Sequence, residues 1–271
     1  MNLSRRLIKF YVDSSLHVAL GLTSLTIVSF LKFNLPIELK TIALVFFSTV
    51  SGYNLIKYSH QWRTDLNHHL AILCLSTVFA LFSMVLLSFH NWLTIAIIAS
   101  VTFISVWYVL PKQYGLSLRR MPIMKLIAVG ITWALMSIAL PIAESELLFF
   151  FLRVPSFLTI LFTQTVLLVM VWCLPFEIRD LKVDDPNLKT LPQLIGVPLT
   201  KVVGYILLIA CGLLGILVDN YDNGWNETDI LIYLLTALLL YFSTQSRSDY
   251  YASLVVESIP VLWMILLIIA D

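Results

Sequence analysis

Apolar runs of membrane-spanning length recur along this sequence, at 14–33, 40–57, 69–89, 92–110, 123–143, 156–176, 200–218, 229–244 and 252–270. A helix that crosses a bilayer needs about 20 mostly apolar residues. The runs are continuous rather than alternating, which excludes the strands of a barrel. Inside lipid the backbone must satisfy its own hydrogen bonds, and that leaves helices. The expected fold class is therefore all-α integral membrane, with nine transmembrane helices forming one domain over residues 1–271. Composition agrees: the chain is 59% hydrophobic and 12% charged, with a mean hydropathy of +0.92. Soluble domains carry about twice that share of charge, so a water-soluble enzyme, a disordered chain and a nucleic-acid binder are all excluded.

The charges give an orientation. With the N-terminus in the cytoplasm and nine alternating spans, only Lys32, Lys40 and Arg153 of the 17 Lys+Arg fall outside. The other basic residues collect on the cytoplasmic face, as the positive-inside rule demands. The external links are short or acidic, with Glu144, Glu146, Asp219, Asp222, Glu227 and Asp229. The expectation is N-in, C-out, in the inner or plasma membrane if the chain is bacterial. Arg5, Arg6 and Lys9 precede the first run, but that run is longer than a signal-peptide core and no small-x-small cleavage site follows. It is read as a retained helix. Cys74, Cys173 and Cys211 lie within apolar runs and give neither a disulfide framework nor metal-ligand spacing.

Three connections on the cytoplasmic face, about 58–68, 111–122 and 177–199, are longer and more polar than a tight turn needs. Positive-inside placement explains their lysines and arginines but not Asp180, Asp184 and Asp185 among them. Glu177, Asp180 and Asp184 are spaced i, i+3, i+7, one stripe of a helix continuing out of the sixth span. Two carboxylates four residues apart suit Mg²⁺, which shares substrate phosphates with one or two acidic ligands. A solvated helix end has the same spacing, and both readings stand at this point. Pro186 is expected to stop the helix, with KTLPQLIG as a loop to the next span. His17 and Gln164 are expected to make interhelical hydrogen bonds. Glu257 is expected either to meet a water-filled mouth as a base or to pair with Arg247. His68 and His69 are adjacent rather than one turn apart, which argues against a helical metal site.

Ile178-Arg179-Asp180-Leu181-Lys182-Val183-Asp184, followed by Lys189-Thr190-Leu191-Pro192-Gln193-Leu194-Ile195-Gly196, resembles the second signature of the UbiA superfamily of intramembrane prenyltransferases. The stretch from Tyr108 to Trp133, with Arg119-Arg120-Met121-Pro122 and Lys125, is similar to that family's linker between its fourth and fifth helices. The resemblance implies a helical bundle around a lipid-facing chamber, with Mg²⁺ and a prenyl diphosphate at the cytoplasmic mouth. Metal ions neutralise the leaving diphosphate, basic side chains grip its oxygens, and an apolar chamber keeps water from the allylic cation. On this resemblance Asp180 and Asp184 hold the metal, and Asn54, Lys57, Arg119, Arg120 and Arg179 contact the donor.

The first acidic motif of the family, NDxxDxxxD, has no counterpart. Its place reads Asn54-Leu55-Ile56-Lys57-Tyr58-Ser59-His60-Gln61-Trp62, so Asn54 is kept while Leu55, Tyr58 and Trp62 stand where aspartates would be. One reading keeps the transferase, moving a prenyl chain to a small aromatic or quinone-precursor acceptor, with Lys57 replacing one metal's charge. A second keeps only binding of an isoprenoid or quinone-like lipid, or an assembly role in a membrane complex. Transport is a distant third, because no inverted repeat or paired broken helices are evident.

Overall fold

The computed structural model describes residues 3–58, 66–109, 121–145, 148, 155–185, 188–219, 227–248 and 250–270. Among them all regular structure is helical. The helices are α1 (Leu3–Asp13), α2 (Leu16–Lys32), α3 (Leu39–Tyr58), α4 (Leu66–Leu87) and α5 (Trp92–Val109). Next, α6 runs through Pro122–Ala134, a π-helical turn at Leu135–Ala139, and Leu140–Glu144. Then come α7 (Pro155–Asp180), α8 (Leu191–Asp219) and α9 (Glu227–Phe242). Last, α10 opens with a π-helical turn at Tyr251–Val256 and continues through Ile259–Ala270.

Among the described residues, seven helical segments are long and apolar enough to cross a membrane alone, and α1 with α2 makes an eighth, bent by 57°. With 16 residues, α9 falls below that length, at roughly 24 Å for 1.5 Å per residue. All nine apolar runs of the sequence are helical, in order.

Three boundaries differ from the sequence reading. Leu3–Asp13 is a separate helix, α1, ahead of the first span. The loop expected after Pro186 is already helix from Leu191 onward. The N–H of Thr190 donates to Gln193 Oε1 at 2.9 Å, the backward arm of a capping box that the T-x-x-Q spacing encodes. Pro192 is tolerated because it falls in the first turn. This first stretch is interrupted at Gly196, whose φ of 77° and ψ of 161° suit glycine alone. Finally, α7 stops at Asp180, where the N–H groups of Val183 and Asp184 both turn back onto the Asp180 carbonyl. Asp184 therefore sits in a turn, not on a continuing helical stripe with Glu177.

The centre of the bundle is built on α2 and α7. Helix α7 packs against α6 and α8, and α2 packs against α3 and α10. Leu25, Trp133, Met136, Val171, Leu174, Ile178, Ile232 and Trp263 belong to this core. The outer surface is also apolar, with Leu81, Met84, Phe103, Ile209, Leu213 and Ile269 exposed, as lipid contact requires. Four buried hydroxyls in the spans are satisfied locally: Thr26, Thr49, Ser76 and Ser137 each donate to the carbonyl four residues back. Gln164 crosses between helices, donating to the Cys211 carbonyl at 2.9 Å and the Tyr233 hydroxyl at 2.7 Å.

Helix-on-helix packing without a hydrophobic drive depends on close approach at small residues. A Cβ on Gly130 would lie 2.8 Å from the Val166 carbonyl oxygen, so α6 and α7 touch through backbone there. Gly130→Val should force them apart and cost about 1–3 kcal/mol. Thermal unfolding in detergent checks this, and an unchanged midpoint would refute the contact.

The charges sort to the two ends. At one end Lys32 pairs with Asp229, which also accepts a bond from Trp263, and Lys40 pairs with Glu144 at 3.0 Å. At the other end lie Lys57, Lys125, Glu177, Arg179 and Asp180. Arg153 lies outside the described residues.

Candidate functional site

The polar end gathers the C-termini of α3 and α7, the N-termini of α6 and α8, and the start of α10. Its acids are already engaged. Glu177, with 1% of its side chain exposed, lies 3.3 Å from Lys125 Nζ through one oxygen. Through the other it accepts the Leu191 N–H at 3.2 Å, capping α8. Asp180 takes the guanidinium of Arg179 as a fork: Nε donates to Oδ1 at 2.7 Å and Nη2 to Oδ2 at 2.9 Å. The third arm, Nη1, donates to Ser253 Oγ at 2.8 Å, and the guanidinium lies over the Phe176 ring. The π-helical turn of α10 carries Ser253; such turns often mark functional sites. Asp184 acts electrostatically on both Lys125 and Glu177, and so belongs to the same cluster.

Glu257 follows that π-helical turn. The cations acting on it are Lys57 and Arg179. Arg247 instead donates to the Phe242 carbonyl and lies over the Tyr251 ring. His17 makes the expected interhelical bond, with Nε2 3.1 Å from the Leu254 carbonyl oxygen.

Residues of the altered first motif face a different partner. Asn54 is fully buried; its Nδ2 donates to the Ser14 carbonyl at 3.0 Å and to Ser76 Oγ at 2.9 Å. Lys57 Nζ donates to the Asp13 carbonyl at 3.2 Å and lies 3.6 Å from the Asp13 carboxylate. The Tyr58 hydroxyl donates to the same carbonyl at 2.8 Å. Of the expected donor contacts, then, Lys57 and Arg179 share one end with Asp180 and Asp184, while Asn54 is held inside the bundle. Arg119 and Arg120 lie outside the described residues, as does Asp65.

Below this end lies an apolar cavity of about 210 Å³ between α3, α5 and α6, backed by Leu22 of α2. Tyr53, Tyr108 and Trp133 line it, and the Trp133 indole donates to the Tyr53 hydroxyl at 2.6 Å. Gly52 faces it with nothing within 4 Å of where a Cβ would sit. Tyr108 acts on Lys125, and Glu257 on Tyr53, so the cavity's aromatic rim adjoins the ionic cluster. Sequence reasoning named neither Lys125 as an ion-pair partner nor Tyr53. Lys125 was legible as a basic residue beside the RRMP run, but a single tyrosine in a span carries no such signal.

For the metals that the resemblance implies, donor chemistry discriminates between the two motifs. Of the first, Leu55, Lys57 and Tyr58 are no ligands for a hard cation, and the one amide oxygen among its described residues is the buried Asn54 Oδ1. The second keeps the carboxylates of Asp180 and Asp184, the hard-oxygen type that Mg²⁺ takes, with both Asp180 oxygens here occupied by the Arg179 fork. Among the described residues no three His, Cys, Asp or Glu side chains converge on one point.

No family model and no curated protein matches the sequence. Solved structures do resemble the fold. A UbiA homolog from Aeropyrum pernix K1 superposes with a TM-score of 0.64 at 15% identity, over 94% of this chain and 98% of that one. A digeranylgeranylglyceryl phosphate synthase gives a TM-score of 0.58 at 14% identity, over 98% and 97%. A UbiA homolog from Archaeoglobus fulgidus gives 0.54 at 13% identity, over 96% and 94%. The chain therefore has the fold of the UbiA homologues over 94–98% of its length.

Proposed function

We propose that this protein is a UbiA-type membrane enzyme that binds a prenyl diphosphate and moves the prenyl chain to a small aromatic or quinone-precursor acceptor. The observation that carries the reading is an apolar, aromatic-rimmed cavity set beneath the end of the bundle that holds Lys57, Lys125 and Arg179 with their acidic partners. An amphiphile with an apolar tail and an anionic head fits such a site. The synthase of the same fold lends the reading further support. In this reading nine helices cross the membrane, and the N-terminus and cationic end face the cytoplasm.

The tail lies against Gly52, Val101 and Met136, while Tyr53, Tyr108 and Trp133 form the rim through which the head protrudes. Arg179 is the principal grip on the head. Its fork now matches the two oxygens of Asp180, and a phosphate offers the same bidentate geometry. Turning from Asp180 to the diphosphate leaves both bonds made. A single Mg²⁺ at Asp180 and Asp184 would supply further neutralisation of the leaving group. Lys125, paired with Glu177, adds positive charge near Tyr108. When the allylic C–O bond breaks, its electron pair leaves with the diphosphate, and the acceptor captures the prenyl cation and releases a proton. The rim keeps water from that cation.

Binding without turnover is the second reading, favoured by Leu55 and Tyr58 at positions where the resembling family carries acids. One experiment addresses both. Purified wild type should bind geranylgeranyl diphosphate at least tenfold more tightly than inorganic pyrophosphate, and Gly52→Phe should abolish that preference by filling the cavity. Equal affinity for the two ligands in wild type would refute the site. Binding with no product across an acceptor screen would favour the second reading.

A further inference from the structure

The altered motif has a positive use within the fold. Helix α1 ends at Asp13 and therefore leaves its last carbonyls without helical partners. The N–H groups of Ser14 and Ser15 turn back onto the Phe10 and Val12 carbonyls, and side chains of α3 reach the carbonyls at the very end of the turn. Asn54 donates to the Ser14 carbonyl, Tyr58 and Lys57 donate to that of Asp13, and Lys57 lies 3.5 Å from that of Val12. The ammonium also answers the partial negative charge of a helix C-terminus. Acids in these places would repel it. The exchange of a carboxylate for Tyr58, and the lysine beside it, thus converts acceptors into donors. On the far side of the turn the Tyr11 hydroxyl is hydrogen-bonded to His17 Nδ1 at 2.8 Å. Ser14 and Ser15 are buried in the turn, and Ser15 adopts a left-handed φ of 59°.

What this clasp holds is an amphipathic helix. Leu7, Ile8 and Phe10 are exposed, at 61%, 45% and 42%, and Arg6 and Lys9 are exposed as well. At 100° per residue Lys9, Asp13 and Arg6 share one arc of about 60° on α1, Phe10 borders that arc, and Leu7 and Ile8 lie on the apolar remainder. Only the two-residue turn separates α1 from the span that begins at Leu16, so the helix sits at the membrane boundary by chain continuity. A basic helix with an apolar face at that depth matches the interface between headgroups and acyl chains, and its charge complements anionic lipid.

We propose that α1 is an interfacial anchor for anionic lipid headgroups, and that Asn54, Lys57 and Tyr58 clasp its C-terminus so that the anchored helix sets the position of Lys57 at the mouth. The inference stands whether or not the protein transfers a prenyl group, because its test reads no activity.

The full chain, with Cys74 and Cys173 replaced by Ala, is labelled with an environment-sensitive fluorophore at Leu7→Cys or Lys9→Cys. It is then placed in nanodiscs of phosphatidylcholine with or without phosphatidylglycerol. The label at position 7 should be quenched by a shallow spin-labelled lipid and shielded from aqueous iodide, and that at position 9 should show the reverse. Phosphatidylglycerol should deepen position 7, and Arg6→Gln/Lys9→Gln should erase that dependence. Tyr58→Phe, which removes one hydroxyl, and Lys57→Met should each raise iodide access at position 7 at least twofold. Equal iodide access at positions 7 and 9 would overturn the anchor. Full shielding in both clasp variants would overturn the clasp. Insensitivity to phosphatidylglycerol would overturn the choice of anionic headgroups as partner.

Discussion

Lys125→Met should destabilise the protein by about 3–5 kcal/mol, the cost of stranding a buried charge whose partner has been removed. Glu177 has 1% of its side chain exposed, and Lys125 Nζ is 3.3 Å away, itself 24% exposed. The pair links the start of α6 to the end of α7. The same carboxylate accepts the Leu191 N–H, so its ionisation state reaches into α8 as well. The companion variants separate the charge from the cap. Lys125→Met/Glu177→Gln removes both charges while leaving an amide oxygen for Leu191, and should recover most of the loss. Lys125→Met/Glu177→Leu should recover less, by about 1 kcal/mol, because the helix end loses its cap. Equilibrium unfolding in mixed detergent gives all three values. A loss below about 1 kcal/mol for Lys125→Met would mean that the pair is solvated and behaves as a surface bridge.

The fold was legible because lipid enforces a length. Each apolar run had to be helical, and the run limits 40–57 and 92–110 fall within two residues of the observed α3 and α5. The sorting of charge was legible too, since Lys32 meets Asp229 and Lys40 meets Glu144 at a common end. What escaped was local. An 11-residue amphipathic helix such as α1 has no spanning length to announce it, and its basic residues read equally as orientation signals or as the flank of a signal peptide. The π-helical turns at Leu135–Ala139 and Tyr251–Val256 follow from packing, not from any residue pattern. The start of α8 escaped because KTLPQLIG after Pro186 has the composition of a loop, and the T-x-x-Q spacing of Thr190 and Gln193 is the one sign of a cap within it. At the site, the stripe of Glu177, Asp180 and Asp184 assumed that the helix continued. Once it stops at Asp180, the three carboxylates go to three different duties: an ion pair with a cap, a guanidinium fork, and a turn. Spacing locates carboxylates on a helix, but it cannot say which cation each has already taken.

That competition for cations gives the second large effect. If Arg179 is the grip on a diphosphate, Arg179→Lys should weaken geranylgeranyl diphosphate binding by ~1.5–3 kcal/mol, the worth of a hydrogen bond to a charged group. That amounts to roughly a 10- to 150-fold rise in Kd. Lysine keeps the charge but loses the fork, along with the third arm to Ser253. A purely structural arginine would give a similar loss through misfolding, so Asp180→Asn supplies the sign that distinguishes the two. With a chelator present, Asp180→Asn removes the carboxylate that competes for the fork, and binding should tighten relative to wild type. With Mg²⁺ present, it removes half of the remaining acidic pair, and binding should weaken. Opposite signs in the two conditions would identify Arg179 and Asp180 as two halves of one device, in which a carboxylate holds the guanidinium ready until a phosphate replaces it. Weakening in both conditions would assign Arg179 to holding α7 against α10 and would remove it from the donor site.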